Sequence, residues 1–377
     1  MPPTAHHRLT ERDALARHLL SGRNVLMLAP RRIGKTWLMK ELERDLEWKG
    51  HTCIRIEVSG MRTEEVFLRT LCEAIERKQE ITESVTTFFR TRLRQILVGA
   101  SGDSLTQILT RTDPRVFSET LIGALDRQEQ RTLILIDEFP LFVWEHARHD
   151  PDGARTFLYH LRRLQQAFPN VSWFLTGSIG LDVIARRFTL EGALLDFDVV
   201  PLEAFTEAEA RSFLDELGDR HTLSRPLNFA AGAFEHLVRE LGWLSPYYLD
   251  HLARHIRPTA DGGATVGADD VDRAFAAVLR PAYRVHFSPW QEHIDKNFDT
   301  DDRARLYAIL ELCSEHPDGE QEDTLRARLA TSYPGLTRRA LKDLLLTQEC
   351  DGLLAQTDGR WRFRSGLLRR YWREYVA

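Results

Sequence analysis

The strongest constraint on the fold is a short loop near the N-terminus, placed between a predicted buried strand and a predicted helix. Residues 24–28 are an apolar run, residues 29–36 read APRRIGKT, and a segment of helical periodicity follows at once. The loop matches the pattern G-x-x-x-x-G-K-[ST] except at its first position, where Ala29 replaces glycine. In this context successive backbone N–H groups converge with the helix start on one point that attracts anions. The segment therefore predicts a phosphate-binding loop.

The side chains at the end of this loop supply its expected chemistry. Lys35 brings a positive charge to the outer phosphates, and the Thr36 hydroxyl is placed to bind a Mg²⁺ ion that bridges them. Alanine fits the first position if its φ angle stays negative. The alternative is a chance match on an ordinary turn from strand to helix. The predicted nucleotide-binding residues are Ala29, Pro30, Arg31, Arg32, Ile33, Gly34, Lys35, Thr36 and Trp37.

A second motif lies at residues 132–139, which read TLILIDEF. The apolar run predicts a fully buried parallel strand that ends in two carboxylates. Asp137 stands at the carboxyl end of the strand, where open α/β sheets bind ligands, and is the predicted second metal ligand. Glu138 is the candidate to polarise the water that attacks the γ-phosphate. The alternative is a strand that merely ends in solvated acids.

Further strands at residues 52–58, 171–178 and 199–202 alternate with helical segments, which predicts an α/β fold with a doubly wound parallel sheet. The alternation of residues 52–58 suggests a less buried place in that sheet. We expect three domains. An α/β ATPase domain covers residues 1–205 with a helical insertion at about 61–128. A helical domain with a linker covers residues 206–299, in which residues 280–298 form the linker. A third domain covers residues 300–377.

The third domain has its own pattern. Helices predicted at residues 301–315, 323–331 and 337–350 precede two short strands joined by an Asp-Gly turn, which describes a winged helix-turn-helix. Basic residues at the third helix and the hairpin could hold DNA phosphates. Alternatively, Trp361 and Phe363 form the core face of the hairpin and the arginines are solvated, or pack against the ATPase domain as a latch. The candidate DNA-binding residues are Arg338, Arg339, Lys342, Arg360 and Arg362.

Composition and charge limit the classes of protein to which this chain can belong. The 377 residues carry a net charge of −5, so any contact with nucleic acid must come from a local patch. The four cysteines lie far apart in the sequence, which argues against a zinc site or a disulfide framework and fits a reducing cytosol. No apolar run approaches the roughly 20 residues that span a bilayer. We expect a cytoplasmic protein with no membrane contact.

These pieces together resemble the STAND and AAA+-related P-loop ATPases, in particular the archaeal-type ATPase family (MNS-like), over nearly the whole chain. The resemblance rests on residues 29–36 with their double arginine, on residues 135–139 and 174–178, and more weakly on residues 244–249 and 363–372. It implies ATP and Mg²⁺ as ligands, with Lys35, Thr36, Asp137 and Glu138 in the roles given above. It also implies that the helices after residue 206 form a lid and that the winged helix is an effector or control module.

The resemblance further implies that Thr176 or Ser178 is a polar sensor of the γ-phosphate. The family's arginine finger has no match at the expected place, where Arg186 and Arg187 are displaced candidates. Slow hydrolysis, or an arginine supplied by a protein partner or a second copy, would follow. The leading hypothesis is an ATP-driven molecular switch. The alternative is a DNA-binding adaptor with a structural nucleotide, and a subunit of an antiviral-defence or mobile-element system is a third idea.

Overall fold

The computed structural model describes residues 8–78, 83–85, 87–88, 104–177, 191–219, 227–259 and 265–377, without the side chains of residues 191, 218, 219 and 297. The chain divides into two compact units. The first contains the chain up to Ala29 and Lys35–Leu202, and the second contains Pro30–Gly34 and Glu203–Ala377.

The first unit is built on a five-stranded sheet in which every neighbouring pair is parallel, as the sequence predicts. The strand order is β2-β3-β4-β1-β5, and β2 at the edge is less buried than β3, as its alternation predicts. The last strand lies earlier than the predicted 199–202, because Pro201 has no N–H and the ladder ends at the bond from Val200 N–H to the Leu26 carbonyl. The strands are β1 (Asn24–Leu28), β2 (Thr52–Glu57), β3 (Thr132–Asp137), β4 (Val171–Gly177) and β5 (Phe197–Val199).

Helices cover the sheet because alternate strand residues point to opposite faces. Ile54, Ile134 and Trp173 lie side by side and join one buried cluster with apolar residues of the helices between β2 and β4. Leu133 and Leu135, on the other face of β3, are equally buried. The helices are α1 (Leu9–Leu20), α2 (Lys35–Trp48), α3 (Glu64–Glu76), α4 (Leu105–Leu109), α5 (Pro114–Asp126), α6 (Phe139–His149) and α7 (Pro151–Ala167), with a 3₁₀ turn at Glu191–Leu194.

From residue 203 to residue 299, the described part of the second unit consists mainly of helices. They are α8 (Glu207–Asp219), α9 (Ala233–Leu241), α10 (Pro246–Ala253), α11 (Ala268–Val278), a 3₁₀ helix at Pro281–His286, and α12 (Ser288–Asn297). The interpretation of residues 280–298 as a linker is wrong. Trp290 and Ile294 on α12 are fully buried, and the Trp290 indole N–H donates to the Tyr248 hydroxyl at 3.1 Å.

The C-terminal part of the second unit combines helices with a small antiparallel sheet of order β6-β8-β7. Asp358 and Gly359 both have positive φ, as a tight hairpin turn requires. Trp361 and Phe363 face inward and are buried. No helix among the described residues is long and apolar enough to cross a membrane. The elements are α13 (Thr300–Glu315), β6 (Glu320–Gln321), α14 (Glu322–Leu329), α15 (Arg338–Asp351), β7 (Leu354–Thr357), β8 (Arg360–Phe363) and α16 (Gly366–Tyr375).

Candidate nucleotide-binding site

Asp137 is the centre of the polar groups at the carboxyl ends of the strands. It ends β3 and is only 3% exposed. Its Oδ2 accepts a hydrogen bond from the Thr36 hydroxyl at 2.5 Å, and its Oδ1 accepts one from the Thr176 hydroxyl at 2.6 Å. Hydroxyl-to-carboxylate bonds of this length are the strong, charge-assisted kind. The structure thus joins the start of α2 and the ends of β3 and β4 at one carboxylate.

Glu138 follows Asp137 in a backbone conformation that non-glycine residues seldom adopt. Its φ and ψ are 58° and 33°, and its N–H donates to Asp137 Oδ1 at 3.1 Å. This left-handed residue turns the chain from β3 into α6 within one position. A non-glycine residue at such a position carries backbone strain, and strain of this kind concentrates at functional sites. This conformation fixes the direction in which the half-buried Glu138 side chain leaves the chain next to Asp137.

Lys35 is the first residue of α2 and is 6% exposed. Its Nζ donates to the Ala29 carbonyl oxygen at 2.7 Å, so the side chain folds back over the loop that precedes it. Ala29 is buried and is not among the residues with positive φ, so its alanine side chain meets the backbone requirement stated above. A buried ammonium at the start of a helix makes this position strongly attractive to anions.

The intervening loop residues pack within the second unit. Positive φ occurs at Arg32 (68°) and at Gly34 (97°). Left-handed positions within a short loop turn backbone N–H groups to the concave side, which is the geometry of an anion-binding nest. Ile33 is buried and Pro30 is half-buried. The role of these residues as a phosphate loop stays a prediction.

The end of β4 packs tightly against the start of α6. A Cβ at Gly177 would lie 2.2 Å from Cδ of Pro140, so no larger residue fits there without a shift of the proline ring. This contact holds Thr176 beside Asp137. Ser178, Arg186 and Arg187, the other candidates from this part of the chain, lie outside the described residues. Trp37 lies on α2 with 37% of its surface exposed.

Comparison with known families indicates which domain type the N-terminal part of the chain resembles. Residues 19–184 match the family model described as "AAA domain", and this match includes β1, the phosphate loop and β3. This segment is therefore similar to AAA domains. Comparison with curated proteins gives no significant match.

Two solved structures have the same fold along almost the whole chain. A Walker-type ATPase of Pyrococcus abyssi aligns with a TM-score of 0.69 at 18% identity, covering 97% of this chain and 95% of that one. The Aeropyrum pernix ORC2 protein, solved as ADPNP–ADP complexes, aligns with a TM-score of 0.60 at 17% identity, covering 99% of this chain and 94% of that one. At such identities the likeness shows the fold alone. It supports a P-loop AAA+ fold with helices on a parallel sheet.

The hydroxyl group of Thr36 and the carboxylate of Asp137 suit a magnesium ion. Mg²⁺ prefers hard oxygen ligands, and Thr36 and Asp137 bring a hydroxyl and a carboxylate oxygen within 2.5 Å of each other. A threonine hydroxyl has one proton to donate and two lone pairs. Its bond to Asp137 uses the proton and leaves the lone pairs for a cation. These two residues would hold the metal.

The candidate DNA-binding residues lie at the exposed surface of the second unit. Arg339, Lys342 and Arg362 are exposed. Arg338 is paired with Glu322 at 3.3 Å, and the Arg360 guanidinium donates to the Gly319 carbonyl at 3.1 Å. Arg364, which the sequence places on the same hairpin, instead turns inward, and burial lowers the pKa of its guanidinium. The inward Trp361 and Phe363 agree with the alternative that they form the core face of the hairpin.

Sequence reasoning missed the residues that contact the loop within the second unit. Ser245, His293 and Asp351 all do so, directly or through one another. Ser245 comes directly before Pro246, the first residue of α10, and lies within residues 244–249, which carry a weaker part of the resemblance. No local sequence pattern indicated that His293 and Asp351 contact the loop, because more than 250 residues separate them from it.

Proposed function

We propose that this chain is an ATP-binding molecular switch that uses Mg²⁺ and hydrolyses ATP slowly. The observation that carries the proposal is the hydrogen-bonded set of Thr36, Asp137 and Thr176 beside the buried Lys35, within a segment that matches the model of an AAA domain. Lys35 would hold the outer phosphates, and Thr36 and Asp137 would hold the metal. When bound, the metal would neutralise charge that develops on the phosphates.

Glu138 is the proposed general base. It adjoins the metal ligand Asp137, and its strained backbone fixes where its side chain leaves the chain. A carboxylate in this place can orient a water and accept its proton as the water attacks the γ-phosphate. Thr176 is proposed to sense the γ-phosphate through Asp137, because its hydroxyl is already bound to that carboxylate. Hydrolysis without an arginine finger lacks a factor of about 10³–10⁵, so a slow rate is expected.

The division into domains and the family subtype are also part of this proposal. The three-domain division, with a lid at residues 206–299 and a winged helix at 300–377, is consistent with α13–α15 followed by the β7–β8 hairpin. The likeness to STAND ATPases of the archaeal-type family belongs to the same proposal. In it, nucleotide state changes the pose of the C-terminal helices and so signals to a protein partner or a second copy.

The decisive experiment measures Mg-ATP binding by calorimetry and phosphate release for the full chain and three variants. Lys35→Ala should weaken ATP binding at least tenfold, because it removes a charge-assisted contact to phosphate. Glu138→Gln should keep the affinity and lower turnover by about 10²–10⁴-fold. Lys40→Ala, an exposed lysine on the same helix, is the matched control and should change neither. Equal affinity in Lys35→Ala and the unsubstituted chain would refute the proposal.

A second candidate function is DNA binding by the C-terminal helices and hairpin. It is favoured by the exposure of Arg339, Lys342 and Arg362, since exposed cations can reach phosphates. If the chain is a DNA-binding adaptor, its nucleotide has only a structural role. Glu138→Gln separates the two functions, because it should trap a switch in one state and leave an adaptor's DNA affinity unaffected.

A further inference from the structure

The tip of the phosphate loop is tied to the C-terminal helices by a chain of three polar groups, of which Arg31 is partly buried and the other two are buried. Arg31 Nη2 lies 2.8 Å from His293 Nδ1, and His293 Nε2 lies 3.1 Å from Asp351 Oδ2. The Arg31 backbone N–H also donates to the Asp351 carbonyl at 3.3 Å. His293 on α12 is 5% exposed, and Asp351 at the end of α15 is fully buried. All three residues belong to the second unit.

The direction of these hydrogen bonds is fixed by chemistry. A guanidinium can only donate, so His293 Nδ1 must accept from Arg31. The proton of the neutral ring is then on Nε2, which donates to the Asp351 carboxylate. A buried carboxylate and a buried guanidinium are costly unless they are paired. The imidazole thus connects the two charges, and loss of the ring leaves both without this connection.

A second group of contacts supports the strained part of the same loop. The Ser245 hydroxyl donates to the Arg32 carbonyl at 2.5 Å, and the Arg32 guanidinium stacks 3.9 Å from the centre of the Tyr247 ring. Arg32 is the non-glycine residue of the loop with positive φ, a conformation that is unfavourable for arginine. Gly352 lies so close to Pro30 that a Cβ there would be 2.5 Å from the proline Cβ. These contacts hold the loop in its concave shape.

We propose that His293 and Asp351 are positioning residues that hold Arg31, and through it the phosphate loop, in the shape that binds nucleotide. Nucleotide affinity then depends on α12 and on the end of α15, which would make these elements the route by which the C-terminal helices sense the nucleotide. This inference rests on the proposed function, since only a loop that binds ATP has an affinity to lose. The contacts preorganise the loop, and preorganisation improves affinity by lowering the cost of ordering on binding.

The test compares two substitutions of one residue in the full chain. His293→Leu removes both ring nitrogens, whereas His293→Gln can still accept from Arg31 through its amide oxygen and donate to Asp351 through its amide nitrogen. His293→Leu should raise the Kd for Mg-ATP about tenfold, and His293→Gln should stay within about threefold of the unsubstituted chain. His316→Leu, at a partly exposed histidine of the same unit, is the control and should not change the Kd.

Amide hydrogen exchange of residues 31–34 without nucleotide gives a second readout, which a merely structural role elsewhere in the unit would not move. Exchange should be faster in His293→Leu and unchanged in His293→Gln. Asp351→Asn, a smaller change that weakens the acceptor for His293, should show the same direction of effect if His293→Leu fails to fold. ATP binding with an unchanged Kd and unchanged exchange in these variants overturns the inference alone. Absence of ATP binding by the unsubstituted chain overturns the proposed function and the inference with it.

Discussion

Asp137 connects three segments of the first unit through its two carboxylate oxygens. Each oxygen accepts a short bond from a threonine hydroxyl, and Oδ1 also accepts the Glu138 N–H. These donors fix the orientation of the carboxylate before any ligand arrives. Because Thr36 and Thr176 come from different segments, a change at one of them reaches the other through Asp137. The residue therefore has both a structural and a proposed metal-binding role.

Replacement of Thr176 by valine tests the structural role. Valine has the shape of threonine without the hydroxyl, so the buried Asp137 Oδ1 would keep only the longer bond from Glu138 N–H. We expect the free energy of unfolding to fall by about 1–3 kcal/mol, measured by urea denaturation. Thr176→Ser keeps the hydroxyl and should lose much less. A valine variant as stable as the unsubstituted chain would show that this bond contributes nothing.

At the residue scale, the principal side chains of the candidate site could be predicted from the sequence because they stand next to strong local patterns. Lys35 and Thr36 follow an apolar strand, and Asp137 ends another. The hydroxyl-to-carboxylate bonds themselves were not predictable, since they depend on the order of the strands in the sheet. Their roles toward nucleotide remain predictions.

At the scale of elements, long periodic segments were predicted well and short or aromatic ones were not. The bounds of α13 differ from the predicted 301–315 by a single residue at one end. Helix α12 was missed because Trp290 and Ile294 are buried by tertiary contacts that give residues 280–298 no clear helical period. The adjoining His293 was missed with it. A residue that acts through a distant partner has no local pattern to reveal it.

Helix α10 and the neighbouring 3₁₀ helix carry a packed group of histidines, which predicts a pH dependence of stability. The rings of His251 and His286 are 4.1 Å apart, and those of His251 and His255 are 5.0 Å apart. Burial, together with the charges of His286 and His255, lowers the pKa of His251 from 6.5 to about 4. Burial lowers the pKa of His286 as well. The folded state thus keeps the rings of His251 and His286 neutral under conditions in which the unfolded chain protonates them.

The direction of this pH dependence follows from the difference in proton binding between the unfolded and folded states. Between about pH 6.5 and 4 the unfolded chain binds a proton at position 251 that the folded state does not, so stability falls as the pH is lowered through this window. The loss from His251 is at most about 3 kcal/mol. His251→Phe keeps an aromatic ring without a titrating group and should flatten the dependence of the unfolding midpoint on pH between 7 and 5. An equally steep dependence in the variant would exclude His251 as its source.

At the scale of the whole molecule, charge limits how the chain could meet DNA. The net charge of −5 opposes general attraction to a polyanion, so binding must come from a local group of cations. In the described part of the second unit, the exposed Arg339, Lys342 and Arg362 are such a group. If each neutralises one phosphate, the logarithm of the binding constant should fall with the logarithm of salt concentration with a slope of about −2.7.

Replacement of these three residues by glutamine should therefore abolish most of the binding of a labelled duplex and make the remaining salt dependence shallower by about 2.7, as measured by fluorescence anisotropy. The control replaces Arg44, Arg69 and Arg155, three exposed arginines of the first unit, and so changes the net charge by the same amount. If charge alone mattered, both triple variants would lose affinity equally. If only the first variant does, the C-terminal helices and hairpin form the DNA-binding surface. No binding by the unsubstituted chain would leave these cations as a solvated face and direct the search for the switch's target to proteins.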